Sequence, residues 1–225
     1  MKERFVVAID GPAGSGKSTV AKLVARRIGG LYVDTGAMYR ALTLKAIREG
    51  LDLSREDDLV LLARETEVKL SAVSHDGYKV YLDGCDVSED IRDPDVTNRV
   101  KHLARIPRVR KRMVKLQRDA ASIGKAVLEG RDIGTVVFPD ADVKIFLDAD
   151  ETERAGRRHK ELTKKDPAIT FEEVLRDVRE RDKSDIERAV GPLKQAEDAV
   201  RIDTTEMSIE EVSRSIIKII NSRNP

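Results

Sequence analysis

Phe5-Val6-Val7-Ala8-Ile9-Asp10-Gly11-Pro12-Ala13-Gly14-Ser15-Gly16-Lys17-Ser18-Thr19 is the stretch whose reading decides the fold. Its apolar run, Phe5 to Ile9, predicts a strand buried on both faces. The run breaks at Gly11, and Gly11, Gly16, Lys17 and Ser18 stand at the G-x-x-x-x-G-K-S spacing of a phosphate-binding loop. Val20, Leu23, Val24 and Ile28 then recur at helical spacing, so strand, loop and helix follow in the order that such a loop requires. Gly11, Gly14 and Gly16 allow the tight turning that brings backbone N–H groups close to phosphate oxygens. The helix that follows aims its positive dipole end at the same anion. In this pattern Gly11 to Thr19, with Pro12, Ala13 and Ser15 in the loop, surround ATP. Lys17 reaches the β- and γ-phosphates, and the Ser18 hydroxyl ligates Mg²⁺. An ordinary Gly-rich turn is the alternative, but the four fixed residues should coincide by chance in only about one chain in a hundred of this length.

The composition bounds the rest. With 225 residues the chain can bury a proper core as one domain with insertions. Lys and Arg number 42 against 41 Asp and Glu, a formal net charge of +1, so no global field recruits nucleic acid or membrane. The charged fraction, 37%, fits a heavily solvated surface or a hot habitat. A single cysteine, Cys85, excludes an internal disulfide and a multi-cysteine zinc site, and His75, His102 and His159 lack ligand spacing. No apolar run approaches ~18 residues and no signal peptide is seen, so a soluble, cytoplasmic protein is expected.

Along the chain, Gly29-Gly30 ends the first helix and Leu31-Tyr32-Val33 predicts a second strand. Asp34 to Arg40 leads into a helix through Leu42, Leu44 and Ile47. Arg40, soon after a strand end, is equally a surface side chain or an anion ligand. Residues 51–65 read as a helix capped by Ser54 ahead of Asp57. Glu67–Val73 and Lys79–Leu82 alternate around Asp76-Gly77 as a hairpin, Asp83-Gly84 offers a second tight turn, and this antiparallel piece reads as an insertion. Residues 94–123 read as mostly helical and basic, ended by Gly124. Arg105, Arg108, Arg110, Lys111, Arg112, Lys115 and Arg118 there suit a solvated face, with no interleaved aromatics to stack on bases.

Ala126 to Asp132 predicts a third strand ending in Glu129, Arg131 and Asp132, which suits a phosphate and Mg²⁺ site. Val143–Asp148 is a fourth. In the charged helix after it, Arg154, Arg157 and Arg158 share a face, either simply solvated or able to close over phosphates. Thr170 and Glu173 form a capping box. Arg181, Asp185 and Arg188 share a face as a surface ion-pair row or a substrate clamp. Val200–Asp203 is a fifth strand, and Ser208 and Glu211 cap the last helix.

With these residues in view, the chain resembles the bacterial cytidylate (CMP) kinases of the nucleoside monophosphate kinase family. The resemblance covers nearly the whole chain. It rests on Ile9 to Lys17, Asp34 to Arg40, Glu129 to Asp140, and Arg181-Asp182 with Asp185 and Arg188, in that order. It implies a P-loop NTPase fold of α/β class, with a five-stranded parallel core and flanking helices. Residues 1–36, 103–149 and 167–225 would be the core, 37–102 a nucleoside monophosphate-binding region with a small antiparallel sheet, and 150–166 a short helical lid. It implies transfer of the ATP γ-phosphoryl group to CMP and dCMP, with Mg²⁺; a monomer is expected, since nothing in the sequence demands more. Thr35, Arg40, Arg110, Arg131, Asp132, Arg181, Asp185 and Arg188 would surround the monophosphate, with Arg40, Arg131 and Arg188 on its phosphate and Arg181 and Asp185 near the sugar. Arg154, Arg157 and Arg158 would reach the ATP phosphates, and Glu129 would assist Mg²⁺ through water.

A carboxylate accepts from the cytosine N4 amino group and a guanidinium donates to the ring acceptors, which gives Asp132 and Arg110 a physical reason to be there. Uracil would face Asp132 with a carbonyl and leave the carboxylate unpaired. One departure is Lys101, where family members often carry a small hydroxyl residue near the base. It reaches either the substrate phosphate or solvent. The rival readings are a P-loop kinase acting on UMP or a non-nucleotide alcohol, a P-loop ATPase switch, and a nucleic-acid module built on residues 105–118.

Overall fold

A computed structural model of the chain describes residues 4–73, 77–122, 124–164 and 166–223. Strand β1 (Arg4–Asp10) is buried from Phe5 onward, as its continuous apolar run requires. Helix α1 (Lys17–Ile28) follows the glycine loop, and its end at Gly29 takes the left-handed conformation. Strand β2 (Leu31–Asp34) leads straight into α2 (Thr35–Arg48), whose N-cap Asp34 accepts from the Ala37 N–H at 2.7 Å.

The expected cap of the next helix is corrected. Helix α3 (Glu56–Glu65) starts after Arg55 with no side-chain cap. Ser54 instead gives its N–H and hydroxyl to Asp52 Oδ1, at 2.9 and 2.7 Å. Asp52 lies two residues upstream, so a local Asx-type turn competes successfully with the cap. Strands β3 (Val68–Val73), β4 (Gly77–Leu82) and β5 (Cys85–Asp86) form an antiparallel sheet. The turn expected around Asp76 lies partly outside the described residues, whereas Asp83 and Gly84 both have positive φ and close β4 onto β5.

The mostly helical stretch expected over 94–123 holds two helices. Helix α4 (Pro94–Ala104) and α5 (Pro107–Ala120) are parted by Arg105-Ile106, because a proline pushes the residue before it out of helical conformation and starts a helix well. Gly124 opens β6 (Gly124–Gly130) instead of closing the helix. That strand stops at Gly130, so Arg131 and Asp132 stand just past its end, ahead of a π-helical turn at Ile133–Val137. Strand β7 (Val143–Asp148), helix α6 (Glu151–Leu162), helix α7 (Phe171–Glu187), strand β8 (Val200–Asp203) and helix α8 (Ile209–Arg223) complete the chain. The Thr170–Glu173 box is formed in both directions, and Ser208 and Glu211 bond reciprocally ahead of α8.

The main sheet has the order β2-β6-β1-β7-β8, all parallel. One face packs on α1 and α8 through Val20, Val24, Val212, Ile216 and Ile220. The other is covered through Met38, Leu42, Leu59, Leu103 and Met113 of α2 to α5. Helices α6 and α7 have their own small core of Ala155, Val174 and Val178. The architecture is an α/β P-loop fold, and ligands in such sheets bind at the carboxyl ends of the strands. Among the described residues no helix is long and apolar enough to cross a membrane.

Gly11 ties the loop to the sheet. Its φ is +149°, and a Cβ there would come within 2.0 Å of the Leu147 carbonyl oxygen on β7. Gly11→Ala should lose at least ~2 kcal/mol in chemical denaturation, against about 1 kcal/mol for Gly29→Ala, where φ is also positive but the space is open. Equal losses would show that backbone conformation alone, and not the close approach of β7, sets the cost.

Candidate active site

The loop after β1 and the segment after β6 end side by side because their strands are neighbours, with Asp10 opposite Gly130. Gly16, left-handed at φ 84°, is the N-cap of α1 and offers no side-chain acceptor. The first N–H groups of α1 are therefore left for an anion. Lys17 is buried, and its Nζ donates to the Pro12 carbonyl at 2.5 Å and contacts Ser15 Oγ at 3.3 Å. Burial and the charge of Arg131 bring its ammonium down to about 7.

Beside it, Glu129 takes a hydrogen bond from the Ser18 hydroxyl and another, at 2.5 Å, from the Tyr32 hydroxyl. Burial, and then the Asp34 charge, hold Glu129 above the usual carboxylate range. Ser18 and Glu129 are hard oxygen donors side by side, a set that fits Mg²⁺ keeping phosphate and water ligands.

Near the end of β6 the structure brings most of the predicted substrate residues together as ion pairs. Arg110 donates to Asp132 Oδ2, both buried, and Arg188 reaches Asp132 Oδ1 at 3.4 Å. Arg131 Nε donates to Asp185 Oδ2 at 2.7 Å, and Arg188 lies 3.7 Å from Asp185. Burial and the neighbouring Arg131 lower Arg181 to about 10. Arg40 donates to Asp34 Oδ2 at 3.1 Å, and the same oxygen accepts from the Tyr78 hydroxyl of β4 at 2.6 Å. Thr35 uses its hydroxyl on the Glu129 carbonyl at 2.7 Å. Lys101 is exposed on α4.

The three arginines of α6 are not gathered on one target. Arg154 is buried, donating to the Ala13 carbonyl at 2.9 Å and to Asp182 at 2.5 Å. Arg157 donates to the Thr204 carbonyl at 2.6 Å and to Glu153 at 3.0 Å, and Arg158 pairs with Glu161 at 3.1 Å. Helical spacing put them on one face, but each finds its own acceptors once α6 is packed.

Sequence reasoning gave no site role to Asp10 and Asp182, which it met only as parts of motifs, or to Tyr78. Asp182 also accepts from the Ala13 N–H at 3.4 Å, joining α7 to the phosphate loop. Buried Asp10 accepts from the N–H groups of Ile133 at 2.8 Å and Gly134 at 2.7 Å, clipping the loop after β6 to the end of β1. The available signal was an acid closing an otherwise apolar strand. Burial raises its carboxyl to about 6, against the pull of those two N–H groups.

A folded value above the unfolded one means that the native state keeps this proton longer. The contribution of Asp10 is therefore fully present below about pH 4 and lost as pH rises through about 6. Wild-type stability minus that of Asp10→Asn should fall by up to ~3 kcal/mol between those limits, read by denaturation at each pH. A flat difference would mean that Asp10 is ionised throughout.

Comparison with known proteins adds the family. The model described as "Cytidylate kinase" matches residues 7–222. A cytidylate kinase of Pelotomaculum thermopropionicum is 50% identical over 216 residues, covering 96% of each chain. One of Bacillus subtilis is 46% identical over 224 residues, covering 100% of each. Among solved structures, an uncharacterized protein of Eubacterium ventriosum aligns with TM-score 0.51 at 13% identity, covering 97% of this chain and 99% of that one, and bears on the fold alone. A phosphate loop facing a cluster of paired arginines, on a chain matched from end to end, has one reading: this chain belongs to the cytidylate kinase family.

Proposed function

We propose that the chain transfers the γ-phosphoryl group of ATP to the 5′-phosphate of CMP, and of dCMP, giving ADP with CDP or dCDP. The observation that carries the reading is the buried Arg110–Asp132 pair beside Arg131, Arg181 and Arg188, across from Lys17 of the phosphate loop. Arg40, Arg131 and Arg188 hold the acceptor phosphate, and Arg181 and Asp185 face the sugar. Asp132 accepts from the cytosine amino group and Arg110 donates to a ring acceptor. Lys17 and the N-terminus of α1 hold the β- and γ-phosphates, and Arg154, Arg157 and Arg158 of the lid (150–166) close toward them. The region 37–102 frames the monophosphate.

An oxygen of the acceptor phosphate attacks the γ-phosphorus while the bond to the β–γ bridging oxygen breaks, leaving ADP. That oxygen is already anionic, so no general base is needed. Catalysis is positioning and charge neutralisation, with water excluded. Ser18 and Glu129 would hold Mg²⁺, which would supply further neutralisation of phosphate charge when bound. The reading has the protein work as a cytoplasmic monomer on small molecules. In support, the exposed large apolar side chains among the described residues, Leu61, Ile186 and Ile209, lie on three different helices.

ADP formation from Mg-ATP with CMP, dCMP, UMP, AMP, GMP and dTMP offered singly tests it. Rapid turnover is expected with CMP and dCMP only. Equal ADP release without any acceptor would place the protein among the ATPases, and turnover on another acceptor alone would name a different kinase. Asp132→Ala should reduce the CMP-over-UMP preference about tenfold or more while leaving the ATP KM within about twofold. An unchanged ratio would sink the assignment of Asp132.

Lys17 gives an independent check. Near pH 7 it is partly neutral, and a bound polyphosphate should draw it back to the charged form. ATP binding at neutral pH should therefore take up roughly half a proton, read by calorimetry in buffers of different ionisation heat, and none after Lys17→Met. Uptake that persists in the variant would assign it to another group.

A further inference from the structure

Two buried polar atoms of the acceptor side, the Tyr39 hydroxyl and Arg110 Nε, have no hydrogen-bond partner among the described residues. Tyr39 is only 8% exposed, on α2 directly before Arg40. Its ring lies 5.8 Å from the Arg110 guanidinium carbon, and it feels the charges of Asp132 and Arg188 as well as that of Arg110. Buried hydroxyls are nearly always paired, so an orphan calls for an explanation. A phenylalanine would fill the same space here without leaving a polar atom unmet. Arg110 Nη1 donates to the Ala104 carbonyl and Nη2 to Asp132, whereas Nε has no partner. That leaves the Tyr39 hydroxyl and Arg110 Nε, on neighbouring side chains, without a partner among the described residues.

We infer that Tyr39 is a further substrate-binding residue, its O–H and the Arg110 Nε–H donating together to the ring carbonyl at C2 of the acceptor pyrimidine. The inference rests on the reading of Arg110 and Asp132 as the base site, and deepens it. The C2 carbonyl is common to cytosine and uracil. Tyr39 therefore adds affinity for a pyrimidine without choosing between the two, and that choice stays with Asp132 at the amino group. Burial pushes the phenol up to about 12, which keeps it protonated and a donor throughout the working pH range.

The test is Tyr39→Phe in the full chain. Dissociation constants for CMP and UMP, by calorimetry, should each rise about tenfold, equal to ~1.4 kcal/mol, with their ratio unchanged. The kcat and the ATP KM should stay within about twofold. The thermal midpoint should hold or rise, because the substitution removes an unpaired buried hydroxyl. Unchanged CMP affinity would overturn the inference and leave the hydroxyl to an ordered water. So would weakened CMP and ATP binding together with a lowered midpoint, or a variant that does not fold, since each makes the hydroxyl structural. Asp132→Ala measured alongside separates the two levels. If it alters the CMP-to-UMP ratio while Tyr39→Phe changes nothing, only Tyr39 is misassigned. If neither variant affects either nucleotide, the base-site reading itself fails.

Discussion

Positive charge that must be gathered before any anion arrives is the constraint on which the rest of this structure depends. Lys17, Arg40, Arg110, Arg131, Arg181 and Arg188 converge at the carboxyl end of the sheet, where unpaired cations would repel one another and lose their hydration. Among the described residues each guanidinium but one has a carboxylate within ion-pair distance: Asp34 for Arg40, Asp132 for Arg110 and Arg188, Asp185 for Arg131. The excess falls on Lys17 and Arg181, the two cations displaced furthest below their ordinary values. Such a site is arranged to welcome phosphate, which would relieve both.

The carboxylates also carry geometry. Asp34 is the N-cap of α2 while it holds Arg40, and Asp182 joins the phosphate loop to α6 through Arg154. Asp10 accepts two backbone N–H groups and carries no cation, so its work is to hold the loop after β6 against the end of β1. Tyr78 connects the antiparallel insertion to the same network through Asp34. The insertion therefore reaches the acceptor side by one hydroxyl as well as by its packing on α2.

A cluster of this kind is held at the expense of local satisfaction. Tyr39 and Arg110 each leave a polar atom unpaired in the interior, and Gly191, at φ +60°, crowds against the Arg110–Asp132 pair so closely that a Cβ would come within 2.3 Å of both side chains. Unmet buried groups and tight glycine contacts concentrate where a protein trades stability for binding.

Local order along the chain determined much of this protein. The apolar run of β1 read as a buried strand, the glycine spacing fitted a phosphate loop between strand and helix far better than an ordinary turn, and the Thr170 and Ser208 boxes were legible because a cap is a contact between residues three apart. Where two local contacts competed, as at Ser54 between Asp52 and Asp57, spacing could not say which would win. Glycine, too, was read at Gly124 as a helix stop when it opens a strand. The proposed acceptor site was legible as residue types, since arginines and acids at strand ends suggest phosphate. Their pairing was not, because Asp132 meets Arg188 across 56 residues, and Asp10 meets Gly134 across 124. Helical spacing placed Arg154, Arg157 and Arg158 together, yet tertiary packing gave each a different acceptor. Periodicity and short-range hydrogen bonds are written in neighbouring residues, whereas the partner of a buried charge is decided only when the sheet brings distant strand ends side by side.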